Sequence, residues 1–99
     1  MSGSSRLRLH PEAEAEARIA RAWYRERSIE VSLRFARSVD EALRNIAFTP
    51  ARWPVYLGRI RRCVIPRFPY CVYFEPFEDE ILVLAIAHDR RRQGYWLYR

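Results

Sequence analysis

The chain has 99 residues, of which 49% are hydrophobic and 14% aromatic, with only three glycines. Collagenous, low-complexity and disordered classes are excluded, and one α+β domain over residues 1–99 is expected. The formal net charge is +6 and every basic side chain is Arg, with no Lys, so lysine Schiff-base chemistry and lysine-dependent nucleotide loops are excluded as well.

Residues 1–5 are small and polar, an appended remnant or a frayed native end. Residues 6–10 alternate polar and apolar side chains and predict a short strand. Pro11 suits the first position of a helix, where Glu12, Glu14 and Glu16 lie beside the positive end of its dipole. This helix should run to about Arg27 with Ala15, Ile19, Ala22 and Trp23 on one face, and with Glu14 and Arg18 paired at i,i+4. Ser28 can cap a second helix over residues 29–48. There Val31, Phe35, Ala36, Val39, Ala42, Leu43 and Ile46 recur at spacings of three and four, and Thr49-Pro50 ends the run. Two helices with a short joint form an αα-hairpin, and neither stripe can be buried without a further surface.

Residues 51–56, with Trp53-Pro54, read as a tight connection. Gly58 opens a strand over residues 59–65, Pro66-Arg67 turns the chain, and residues 68–75 are rich in Tyr, Phe and Val. After a second turn over residues 76–80, residues 81–87 are apolar on both faces, as in a central strand covered on each side. The expected fold is β-αα-βββ, a helical hairpin packed on one face of a small, mainly antiparallel sheet.

No basic stretch leads into an apolar one at the start, and no apolar run approaches the ~20 residues of a membrane span. A cytoplasmic protein without membrane attachment is expected. Cys63 and Cys71 are too few for a disulfide scaffold. They read as small apolar fillers or as a pair facing each other across a hairpin. With His10 and His88 far apart in sequence, neither a metal site nor a cofactor is expected.

Arg59, Arg61, Arg62 and Arg67 lie in a stretch without an acid, and Arg90, Arg91 and Arg92 follow the last strand, whereas the helices interleave Arg with Glu and Asp. Alternation places Arg59 and Arg61 on one strand face and Arg62 on the other with Ile60 and Val64. Guanidinium groups beside Tyr70, Tyr73, Tyr95 and Trp96 suit bidentate contact with carboxylates or phosphates, the alternative being solubility and surface pairing with Glu75, Glu78 and Glu80. The aromatic end, residues 94–99, is either a lid on the sheet or an anchor for a partner, with Tyr98 and Arg99 the better contact candidates. His88, just before three Arg, either moves protons or orders the strand end by hydrogen bonding.

In chain order, His10-Pro11-Glu12-Ala13, Trp23-Tyr24, Arg34-Phe35, Pro50-x-Arg52-Trp53-Pro54 and Arg61-Arg62 form the first part of a familiar series. It continues with Arg67-Phe68-Pro69-Tyr70-x-Val72-Tyr73, Val83-x-Ala85-x-x-His88, Arg91, Tyr95-Trp96 and Arg99. The series resembles the ParE branch of the RelE/ParE toxins of bacterial type II toxin–antitoxin modules. The resemblance spans the chain from about Leu7. Its most specific parts are the Phe68-Pro69-Tyr70 segment and His88-x-x-Arg91 with the aromatic tail, and Gln93 stands where many members carry Pro.

The resemblance implies the β-αα-βββ fold and a plasmid-stabilisation toxin neutralised by a cognate antitoxin, with operator DNA reached only through that antitoxin. The ParE branch implies inhibition of DNA gyrase, with the C-terminal part involved. Target contact would then rest on Arg59, Arg61, Arg62, Arg67, Arg90, Arg91, Tyr95, Trp96, Tyr98 and Arg99. The RelE branch implies instead cleavage of mRNA on the ribosome by basic residues and a Tyr. With no Lys to match that pattern, Arg61, Arg62, His88, Arg91 and Tyr95 are the substitutes available.

Overall fold

The structure, a computed structural model, describes residues 5–99. The expectation for the first residues falls outside that range except at Ser5, whose backbone N–H donates to the Ala47 carbonyl at 2.9 Å. Strand β1 (Arg6–Leu9) is followed by helices α1 (Pro11–Arg25) and α2 (Ile29–Phe48), a 3-10 turn at Pro50–Arg52, and strands β2 (Val55–Leu57), β3 (Ile60–Val64), β4 (Tyr70–Pro76) and β5 (Glu80–His88). The sheet order is β1-β5-β4-β3-β2, antiparallel except for the parallel β1–β5 pair. The expected α+β architecture is present.

Both helices start where their caps dictate. His10 Nδ1 accepts from the Glu12 N–H at 3.1 Å, and Ser28 Oγ accepts from the Val31 N–H at 3.2 Å; each satisfies a donor that the first helical turn leaves free. Along α2 the buried residues are Ser32, Phe35, Val39, Ala42 and Ile46, matching the periodicity apart from Ser32, whose Oγ donates back to the Ile29 carbonyl at 2.8 Å. Phe35 and Ile46 are almost wholly buried, and each such side chain stabilises the fold by roughly 1.5–3 kcal/mol.

Helix α1 corrects the expected face. Ala13 and Ala20 are buried, Ala17 and Tyr24 pack beside them, while Ile19 is 68% and Trp23 50% exposed. The helix turns its small residues to β5 because only they permit a close approach of helix and sheet backbone. The larger apolar side chains are left outside.

β2 is a second correction, since residues 55–57 pair with β3 although they read as connection. A face-to-face pairing of the two cysteines across the hairpin is also excluded by register. Cys63 lies opposite Val72 and Cys71 opposite Val64, so successive alternation puts them on opposite sheet faces. Both are free and buried, and burial pushes the Cys63 thiol up to about 11.

β5 shows why its sequence is apolar throughout. Its pairing with β4 slips between Tyr73–Ala85 and Phe74–Val83, which leaves Leu84 as an extra residue. This bulge restarts the alternation. Ile81 and Val83 face the helices before it and Ile86 after it, while Leu84, Ala85 and Ala87 join a second cluster on the opposite face.

Candidate functional site

The sheet face away from the helices is roofed by the chain's end. β2, β3 and β4 present Tyr56, Ile60, Arg62, Cys71 and Tyr73 there, and Trp96 of the tail lies on them only 1% exposed. Its ring is 4.5 Å from Tyr73 and 6.0 Å from Tyr56 between centroids. The Tyr56 hydroxyl donates to Gln93 Oε1, tying the loop before the tail to the edge strand. Gly94 adopts φ 79°, a value that favours glycine, and a Cβ at that position would press on Leu97 Cδ1 at 3.1 Å.

β1 covers β5 only as far as Val83. Beyond it, the open backbone edge of β5 is closed by side chains. Glu16 of α1 accepts from the Ile86 N–H at 3.0 Å, and Arg99 Nη1 donates to the Leu84 carbonyl at 2.9 Å. Arg99 and Glu16 also form a bidentate pair at 2.7 and 3.1 Å, and the Tyr95 hydroxyl donates to the same carboxylate. The Glu16 and Arg99 side chains are each 13% exposed.

Burial alone would raise the Glu16 carboxyl. Hydrogen bonds from Arg99, Tyr95 and the Ile86 N–H outweigh it and hold the group below the usual carboxylate range. Burial pushes the Tyr95 hydroxyl far up, and its bond to Glu16 adds to the shift. The Glu16 pair raises Arg99 in turn.

Around this latch, Arg91 lies over the Tyr95 ring at 3.8 Å and Arg62 over Tyr56 at 5.1 Å. Burial raises the Tyr73 hydroxyl, and a hydrogen bond from Arg62 pulls it partly back. Arg90, Arg91 and Arg92 are exposed, and among the described residues none of these three, nor Arg62, has a carboxylate partner. At the tip of the tail Leu97 is 41% and Tyr98 96% exposed.

The structure therefore brings together Arg62, Arg91, Tyr95 and Trp96, with Arg90 and Tyr98 in the same loop and tail. Arg99 is committed inside the fold to Glu16, and Trp96 is core rather than contact surface. Arg61 lies on the other face, where its Nη1 donates to the Trp53 carbonyl at 2.5 Å. Arg59 sits over Phe77 at 5.7 Å, and Arg67 is in the β3–β4 turn. His88 packs against Tyr70, a member of the helix-side core, and its Nδ1 accepts from the Arg90 N–H at 3.0 Å. It orders the strand end.

Glu16, Tyr56 and Gln93 were not legible as site residues. Glu16 alone carries a signal: it sits at i+3 from Ala13 and i−4 from Ala20, an acid on a small-residue stripe that α1 buries.

The family model for the ParE toxin of the type II toxin–antitoxin system parDE matches residues 7–93. No curated protein sequence matches the chain. Among solved structures, the chromosomal ParDE toxin–antitoxin system from P. aeruginosa is similar with a TM-score of 0.73 at 20% identity, over 88% of this chain and 98% of that one.

Proposed function

The chain belongs to the ParE toxin family of type II toxin–antitoxin systems, and on that premise we propose that it inhibits DNA gyrase by protein binding and is neutralised by a cognate antitoxin. The observation that carries this reading is the tail: an exposed Leu97-Tyr98 tip anchored on both sides by buried groups, Trp96 before it and Arg99 after it. A tip whose backbone is held at both ends has less conformational freedom to lose on binding than a free chain end, which favours its use as an interface anchor. Arg90, Arg91 and Arg92 in the preceding loop and Arg62 over Tyr56 have no internal carboxylate partners among the described residues, which suits contact with acidic side chains and raises the association rate. The similar solved structure is a ParDE system, which supports a protein antitoxin as the second partner, with operator DNA reached only through it.

The ribonuclease alternative draws less from these residues. The Arg61 and His88 side chains are on the helix side of the sheet with Trp53 and Tyr70, Arg62 and Tyr95 are on the opposite side, and the Tyr95 proton is held by Glu16. A general acid held by a buried carboxylate is poorly placed to release its proton at neutral pH.

Purified gyrase tests the proposal. The chain should block supercoiling of relaxed plasmid and leave mRNA intact in translating ribosomes. Unimpaired supercoiling together with codon-positioned mRNA cuts would transfer the assignment to the ribonuclease.

A further inference from the structure

Residues 89–94 join β5 to the tail and carry Arg90, Arg91 and Arg92, all exposed. A loop of free cations loses conformational freedom on meeting a partner, and that loss weakens binding. Here the loop is held before any partner arrives. At its start the Asp89 N–H donates to the Pro69 carbonyl at 2.8 Å. The Arg90 N–H donates to His88 Nδ1 and the Arg91 N–H to the His88 carbonyl, both at 3.0 Å. At its end the Arg91 guanidinium lies over the Tyr95 ring, which Glu16 fixes in turn.

Between these ends stands Gln93, whose side chain reaches Tyr56 of β2. Tyr56 has two separable parts. Its ring belongs to the tail-side core, 5.1 Å from Tyr73 and 6.0 Å from Trp96 between centroids, and Arg62 lies over it. Packing there requires only the ring, which Phe supplies as well. The hydroxyl instead bonds the loop, donating to Gln93 Oε1. β2 is a three-residue strand at the sheet edge, paired with β3 alone. Through Tyr56 it touches both sets of cations, Arg62 of β3 by the ring and the loop by the hydroxyl. A single side chain thus fixes the loop relative to Arg62.

We propose that Tyr56 is a positioning residue for partner contact: it holds the arginine loop relative to Arg62, so that these cations meet an acidic surface of gyrase as a preset array. This role rests on the gyrase reading, and Tyr56 acts through the loop rather than by contact.

The test compares Tyr56→Phe with wild type in gyrase supercoiling, each titrated to half-inhibition, with Tm recorded. Loss of the hydroxyl should weaken inhibition roughly fivefold, the scale of one hydrogen bond, and leave Tm within a few degrees of wild type. In an Arg90→Gln/Arg91→Gln/Arg92→Gln background the same substitution should have no further effect, since the hydroxyl then positions no cation of the loop. The N–H groups of Arg91 and Tyr95 bond within the loop, and in the free chain their hydrogen exchange should be faster in Tyr56→Phe. Equal inhibition by Tyr56→Phe and wild type, or an undiminished loss in the triple background, would overturn the proposal. If wild type itself leaves supercoiling intact, the gyrase reading fails. The exchange rates then decide alone whether Tyr56 orders the loop, and unchanged rates overturn that role as well.

Discussion

Glu16 holds three parts of the molecule with one carboxylate: the α1 helix that carries it, the β5 edge through the Ile86 N–H, and the tail through Tyr95 and Arg99. Glu16→Gln leaves the Arg99 charge inside the fold without its partner and should lower stability by about 2 kcal/mol, since hydrogen bonds to charged groups contribute on that order. In a domain this small the corresponding fall in Tm is about 10 °C, readable by circular dichroism. The same residue sets an acid limb. Its folded pKa lies below the unfolded value, so its contribution is complete above the unfolded carboxylate pKa and disappears as the pH falls through the folded one. The Tm gap between wild type and Glu16→Gln should therefore be widest near neutrality and narrow below about pH 4. A gap that stays constant into acid would remove Glu16 from the latch. In the sequence, Glu16 differs from Glu12 and Glu14 only by lying on the stripe of Ala13 and Ala20, and nothing local marks that stripe as the buried one. Only the packing of α1 does so.

Secondary structure was legible where periodicity is long. The α2 stripe repeats over five turns, and its Ser28 cap and Pro50 stop are local signals that tertiary contacts have no reason to overrule. In α1 the competing faces differ in size rather than polarity, and closeness of approach to β5 decides for alanine. Ala20→Leu should accordingly destabilise by roughly 1–3 kcal/mol through overpacking, while Ile19→Ala on the exposed face should stay within about 0.5 kcal/mol of wild type. Denaturant midpoints distinguish the two, and the reverse ranking would restore the face suggested by the larger side chains. The short β2 and the parallel place of β1 were not legible. Three residues after a proline carry too little pattern, and pairing partners far apart in sequence leave no local trace. The β5 bulge was hidden for a different reason: a run apolar at every position looks the same in either phase.

Across the whole molecule the +6 charge is distributed over both sides of the sheet. The loop before the tail carries Arg90, Arg91 and Arg92, and the α2 side carries Arg34, Arg37, Arg52 and Arg67. The clustering of basic and aromatic residues near the end was readable in the sequence. Which of them stay available was not, because availability of Trp96 and Arg99 depends on how the tail folds back over the sheet and on to Glu16.

This geometry also determines how the tail is best tested. Deleting residues 95–99 would remove Trp96 from the core and Arg99 from its pair, confounding loss of contact with loss of fold. Tyr98, almost wholly exposed, can be changed without either consequence. The most direct measurement is inhibition of gyrase supercoiling by Tyr98→Ala beside wild type, with Tm recorded for both. Weaker inhibition by roughly tenfold or more, the scale of an interface anchor, at an unchanged Tm is the predicted result. Equal inhibition by the two proteins would contradict it.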